Sequence, residues 1–283
     1  MMVGTVVRAA CVLAMLGCGA AAGAATGPQS QPAPKAASSR PTSQATSASV
    51  DPNVVRILDA LEAAGEKHAT IQADVFHRVV MRMSGDSEER TGHVGFQRQA
   101  GKTPASFYIR FDTLRQGAGQ RIKDEVEYAF DGEWLTEAKH RIKSMTRWQV
   151  VPEGQQADPL KLGKGPFPVP FGQKTEDVLR HFAASTRPPT PSDPNNTDYV
   201  SLVTRDEYKN DLSFLRLEMW VDRATRLPVK LVTADKNKDV TTVVFSKVQT
   251  DEKVDPKLFK IAFRPGWQLR VVPLNKPQPA LKQ

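Results

Sequence analysis

Between Ile71 and Val248, apolar and polar residues alternate in one short segment after another, and this two-residue period constrains the fold more than any other feature. The stretch MWVDRATRLPVKL, Met219 to Leu231, shows the unit. Alternation runs into it, Thr225-Arg226 turns the corner, and Leu227-Pro228-Val229 restarts the alternation on the far side. That is a β-hairpin with one apolar face. In ATIQADVFHRVVMRMS, Ile71, Ala73, Val75, Val79, Met81 and Met83 take alternate positions, with Gln72, Asp74, Arg78 and Arg82 between them, which predicts one long half-buried strand. RTGHVGFQR and ASFYIRFDT repeat the theme, the second with Phe107, Ile109 and Phe111 on one side. DEVEYAFDGEWLTEAKH places Val126, Tyr128 and Phe130 on one face and turns at Asp131-Gly132; KSMTRWQVV is a further strand.

From Pro152 to Pro170 the alternation breaks. DPLKLGKGPFPVPFG is too rich in Gly and Pro for an interior strand, yet carries Leu160, Leu162, Phe167, Val169 and Phe171. KTEDVLRHFAAS predicts a short helix with Thr175 as cap and Val178, Leu179 and Phe182 inward. After the polar loop TRPPTPSDPNNT come DYVSLVTRD, LSFLRLEMWVD, LPVKLVTADK and DVTTVVFSKVQ, then the turn DPKLFKI and the segment FRPGWQLRVV. Ahead of all the strands, DPNVVRILDALEAAGEK predicts an amphipathic helix capped by Asp51, with Pro52 in its first position and Val54, Val55, Leu58 and Leu61 on one face. The expected class is mainly β with flanking α: about ten strands in antiparallel order, a sheet long enough to curl, and two helices against its concave side.

The first 25 residues hold Arg8, an apolar run from Ala9 to Leu16 and then small residues, the three-part plan of a secretory signal peptide. Cleavage after Ala22, Ala24 or Ala25 satisfies the small-residue rule. The alternative is a lipoprotein anchored through Cys18, although Met15 and Leu16 stand where a lipobox carries Leu and a small residue. Residues 26–50 are mostly Pro, Ser, Ala, Thr and Gln and predict a flexible linker, with a reach of about 30 Å. Residues 51–272 are the expected folded domain and 273–283 a Pro-containing tail. Both cysteines, Cys11 and Cys18, lie in the leader, so the domain is expected to hold together by core burial without a disulfide.

The order of elements resembles the bacterial outer-membrane lipoprotein carriers, LolA, and the LolA/LolB-like superfamily. The likeness covers Val54 to about Trp267. It is carried by the opening helix, GHVGFQR before FYIRF, YAFDGEWL, the TEDVLRHF helix, LEMWVDRATRLPVKLVTADKNKDVTTVVFSKVQ, VDPKLFKI and PGW. The resemblance implies an unclosed antiparallel β-barrel whose helices form a lid over a hydrophobic cavity that takes acyl chains of lipoproteins or lipids. It also implies a periplasmic or secreted location, donor and acceptor proteins in the envelope, a monomer, and binding without chemistry. Carriers have an Arg-Pro pair leading into the aromatic strand; Thr103-Pro104 stands here, so a lid latch of that type is missing or supplied elsewhere.

The candidate cavity lining is Val75, Val79, Met81, Phe107, Ile109, Phe111, Tyr128, Phe130, Leu215, Leu217 and Met219. The opposing reading makes these core, packed on the helices. Two short helices offer few apolar residues against about ten strands, which leaves wall for a guest. No enzyme is expected: Gly-x-Ser-x-Gly, Cys-His and phosphate-loop patterns are missing, and no cofactor is implied. The five histidines have no close metal spacing; His77 and His93 are expected as a surface pair on neighbouring strands. Asp124-Glu125 and Asp206-Glu207 are expected as solvated carboxylates. The formal net charge of +8 is spread among acidic residues, which with the secretory leader argues against nucleic acid. The alternatives to a carrier are an envelope sensory or structural protein with a closed core, and an enzyme on the same scaffold.

Overall fold

The computed structural model describes residues 50–99, 102–150 and 173–274, the side chains of 99 and 102–105 apart. The expected leader, Cys18 and linker, the Gly- and Pro-rich stretch from Pro152 to Pro170, and most of the tail lie outside these residues.

Asp51 begins the first helix as expected: its carboxylate accepts from the backbone N–H of Asn53 (2.8 Å), and Pro52 occupies the first turn of α1, Pro52–Lys67. Its buried face is Val54, Ile57, Leu58, Leu61 and Ala64; Val55 turns half outward and Ile57 takes the inward place. The strands are β1 (Thr70–Val80), β2 (Ser87–Gln99), β3 (Lys102–Gln116), β4 (Ile122–Phe130), β5 (Trp134–Lys139) and β6 (Ser144–Gln149). After α2 (Thr175–His181) come β7 (Phe182–Arg187), β8 (Thr197–Thr204), β9 (Arg216–Asp222), β10 (Pro228–Ala234), β11 (Val240–Thr250) and β12 (Gln268–Val272).

The twelve strands of the described residues form one sheet, in the order β12-β6-β5-β4-β3-β2-β1-β11-β10-β9-β8-β7. Two antiparallel meanders join where β1 pairs with β11, His77 opposite Val243. The end strands β7 and β12 are not paired with each other, so the sheet is an unclosed barrel with helices, the expected class. β12 runs parallel to β6, an arrangement the antiparallel expectation did not contain. It is reached through residues 251–267, which place Phe259 edge-on against Tyr108 (5.6 Å) on the convex face.

The hairpin corners follow their residues. Asp131 Oδ1 accepts from the backbone N–H groups of Glu133 and Trp134 while Gly132 takes φ 110°, a conformation side chains rarely adopt. At Asp222 the carboxylate accepts from Ala224 and Thr225; burial pushes its pKa up, but these bonds hold it below the ordinary value. Gly92 is required by close approach, since a Cβ there would lie 1.8 Å from the carbonyl oxygen of Arg110.

Three expectations are corrected. β1 stops at Val80, because Gly85 N–H bonds back to the Met81 carbonyl (2.9 Å) in a tight turn, so Met81 and Met83 are not in the strand and Met83 is 93% exposed. The expected second helix ends at His181: Phe182 stacks on Phe214 in the core (5.7 Å between ring centres), and Phe182–Arg187 pairs with β8 instead. β9 starts only at Arg216, since Leu212 and Phe214 turn into the core ahead of it.

Candidate functional site

Strand register decides which residues share the concave face. Val75 is opposite Gly92 and Phe245; Ile109 is opposite Val94 and Tyr128; Met219 is opposite Leu231 and Val200. Of the candidate lining, Val75, Phe107, Ile109, Phe111, Phe130, Leu217 and Met219 belong to one buried cluster, against which Tyr128 packs partly buried. Val79 is half-buried near the end of β1. Met81, past the strand end, is 36% exposed, and Leu215 is half-buried just before β9 with its backbone bonded to Ala234 and Thr204. Phe96, Leu231, Val243 and Phe245 lie on the same face, though the sequence pattern did not single them out as lining. Their alternation was visible, but β11 had no assigned neighbour until it paired with β1.

Among the described residues, helix side chains pack against the wall. Val54, Ile57, Leu58, Leu61 and Ala64 of α1 and Val178 of α2 belong to the same cluster, and Phe130 and Leu217 have no exposed surface at all. A pocket between Ile71, Ala73, Val94, Phe96, Leu227, Pro228, Phe245 and Val248 holds about 10 Å³, the room of a single water. Against the expectation that short helices leave bare wall, α1 turns Val54, Ile57, Leu58 and Leu61 inward to pack with these residues.

Among the described residues, few polar contacts fix α1. Arg56 is 3.7 Å from Asp198 of β8, and Glu62 accepts from the backbone N–H of Thr175 at 2.7 Å. Where the helix passes into β1, Asp251 accepts from His68 and from the backbone N–H of Ala69, both at 2.8 Å; the His68 bond leads in holding its carboxyl below the ordinary range.

One end of the concave face is polar. His77, opposite Arg90 on β2, points inward rather than to the surface, while His93 is on the other face with Asp74 (2.8 Å), so the expected pair does not form. Arg90 bonds Glu88 (2.7 Å) and Asp124 (3.1 Å), and Asp124 also accepts from Arg141 (3.1 Å). Asp124 is 5% exposed, so its reading as a solvated carboxylate is corrected; Asp206 is exposed as expected. Glu137 accepts from Tyr128 (2.8 Å) and pairs with Lys139 (3.0 Å). Among the described residues no group of three or more His, Cys, Asp or Glu is placed to hold a metal, and no helix is long and apolar enough to cross a membrane.

No family model matches the chain and no curated protein matches it. Solved structures do show likeness. A conserved uncharacterised protein from Thermus thermophilus is 12% identical with a TM-score of 0.44, over 76% of this chain and 97% of that one. The lipoprotein LppX of Mycobacterium tuberculosis is 10% identical with a TM-score of 0.42, over 72% and 98%. A protein described as an outer-membrane lipoprotein-sorting domain in Vibrio parahaemolyticus is 12% identical with a TM-score of 0.36, over 74% and 96%. These are likenesses of fold and of nothing finer.

Proposed function

We propose that this protein is an acyl-chain-binding protein of the cell envelope, periplasmic or secreted, and that α1 occupies the acyl site when no ligand is bound. The observation that carries this reading is the cover itself: among the described residues, a concave apolar face spread over many strands meets the apolar face of α1, which has few polar anchors there. Burying Val54, Ile57, Leu58 and Leu61 contributes on the order of 6–12 kcal/mol before ordering costs. An acyl chain with about fourteen methylenes contributes about 11 kcal/mol on the same scale. The two are close enough to exchange. The sequence resemblance to lipoprotein carriers points the same way, as does the signal-peptide pattern of the first 25 residues. Binding by buried area also needs no catalytic group, and delivery would involve donor and acceptor proteins in the envelope.

A second reading is an envelope sensory or structural protein with a permanently closed core, favoured by the 10 Å³ pocket. The full chain purified from a bacterial envelope, extracted and analysed by mass spectrometry, and then titrated with a fluorescent fatty-acid probe, separates the two. Co-purified lipid and displaceable probe binding are expected. A chain that is lipid-free and takes up no probe overturns the proposal.

A further inference from the structure

The concave face is polarised along its strands. Inward positions on β1 run Ile71, Ala73, Val75 and then His77; on β2 they run Phe96, Val94, Gly92 and then Arg90; on β5 Leu135 gives way to Glu137 and Lys139. At the polar end the charges of the described residues are matched. Glu88, Asp124 and Glu137 are bonded to Arg90, Arg141 and Lys139, three anions against three cations. Among the described residues at this end, one buried polar atom is left over: Nδ1 of His77 has no hydrogen-bond partner there. Its ring is 5.6 Å from that of Phe111, so it sits where apolar wall meets charged end.

An amphiphile laid along these strands would have its tail on the apolar part and its head at His77. From this placement we infer that His77 is the specificity contact for the ligand's head, and that the head is an uncharged hydroxyl- or ester-bearing group, as in an acylglycerol. The inference rests on the acyl-binding reading above. Its physical basis is the charge balance. An anionic head that drew Arg90 away would leave Glu88 without its partner and the buried Asp124 with Arg141 alone, and a cationic head would compete for the same carboxylates and free Arg90. A hydroxyl can donate to or accept from the imidazole nitrogen and disturbs no ion pair. Burial keeps that ring neutral, with Arg90 adding to the effect and Glu88 opposing it; Val243 and Thr241, facing from β11, carry no charge.

The test uses the full chain stripped of bound lipid, at pH 8, with single-chain probes sharing one oleoyl tail. Wild type is expected to bind 1-monooleoylglycerol at least tenfold more tightly than oleate. His77→Phe is expected to lose about tenfold for the glycerol ester and nothing for oleate, and His77→Gln, which keeps a hydrogen-bonding group, to recover most of the loss. Equal wild-type affinity for the two probes, or unchanged glycerol-ester binding by His77→Phe, overturns the head-group assignment and leaves acyl binding standing. Failure of wild type to take up either probe overturns both. If His77→Phe does not fold, the wild-type comparison still tests the class of head group, and His77→Leu, which also removes the ring nitrogens, tests the contact in the same way.

Discussion

Glu62 on α1 accepts a hydrogen bond at 2.7 Å from the backbone N–H of Thr175, the first residue of α2. The first N–H groups of a helix have no partner inside it, so the Glu62 carboxylate serves as a cap supplied from another element. Neither helix can move far without breaking it. Lys174, the residue before α2, offers no side-chain cap of its own. Glu62→Ala should cost about 1 kcal/mol of stability and speed amide exchange in α2 and the adjoining turns of α1. Glu62→Gln, which keeps an acceptor oxygen, should retain most of the protection. Thermal melts with hydrogen exchange read both; unchanged exchange in α2 would show that the contact holds nothing.

Acid stability should report on His77. Burial pulls its pKa from 6.5 to about 4 in the folded state. Between those values the unfolded chain binds a proton that the folded chain does not, so stability falls as pH falls from about 6.5 towards 4 and levels off below. The size is on the order of 3 kcal/mol. His77→Phe should flatten this part of the pH profile in urea melts at pH 7, 5.5 and 4, and should be at least as stable as wild type at pH 4. An unaltered profile would place the histidine in water.

Asp193 ties the convex face together. It accepts from both terminal nitrogens of Arg187 (2.7 and 2.9 Å) and from the indole N–H of Trp220 (2.7 Å), while Arg187 lies 3.8 Å above the ring of Tyr199. The Arg187 pairing holds the Asp193 carboxyl well below the usual range, so its contribution is present at neutral pH and persists as pH falls through 4, where ordinary carboxylates protonate. Asp193→Asn should lower the melting temperature by several degrees and shift Trp220 emission to the red. A blue shift, or none, would argue that the 188–196 loop stays seated without the ion pair.

Gly92→Ala should be one of the most damaging small substitutions in the chain. The added carbon would fall 1.8 Å from the Arg110 carbonyl oxygen and 2.8 Å from the Phe111 Cα, both backbone atoms of β3 that no side-chain rotation can move. Separating β2 from β3 at their centre should cost about 3 kcal/mol or more. A denaturant midpoint close to that of wild type would mean the two strands can slide.

What the residues gave away beforehand was whatever is local. The cap at Asp51, the turn at Asp131-Gly132, the corner from Asp222 to Leu227 and the inward side of FYIRF were all legible, since each depends on neighbours a few positions apart. What stayed hidden depends on distant partners. Phe182 leaves the helical pattern because Phe214, thirty-two positions on, offers it a ring to stack on. Asp124 is buried because Arg90 and Arg141 reach it from two other segments. The filling of the interior by α1 was hidden for the same reason: an amphipathic face announces that it must be covered but not what covers it. Ile57 is inward where Val55 was expected, a difference of about half a turn, and this lets four large side chains point the same way.

The exchange of helix for ligand gives opposite expectations for binding and for stability, which makes it separable from simple packing. Leu58 is 3% exposed and belongs to the α1 face that covers the concave wall. Leu58→Ala removes contacts that favour the closed state, at a cost of about 2–5 kcal/mol. If α1 and an acyl chain compete for the wall, part of that loss returns as ligand affinity, because a ligand no longer has to displace so favourable a cover. A loss of about 2 kcal/mol confined to the closed state corresponds to about thirtyfold tighter apparent binding. The variant should therefore melt earlier than wild type without ligand, bind a fluorescent fatty acid more tightly, and recover much of its melting temperature when saturated. Leu231→Ala, on the wall itself, should melt earlier and bind more weakly, because Leu231 belongs to the surface both occupants share. If the two variants change affinity in the same direction, α1 is part of a fixed core and not a cover.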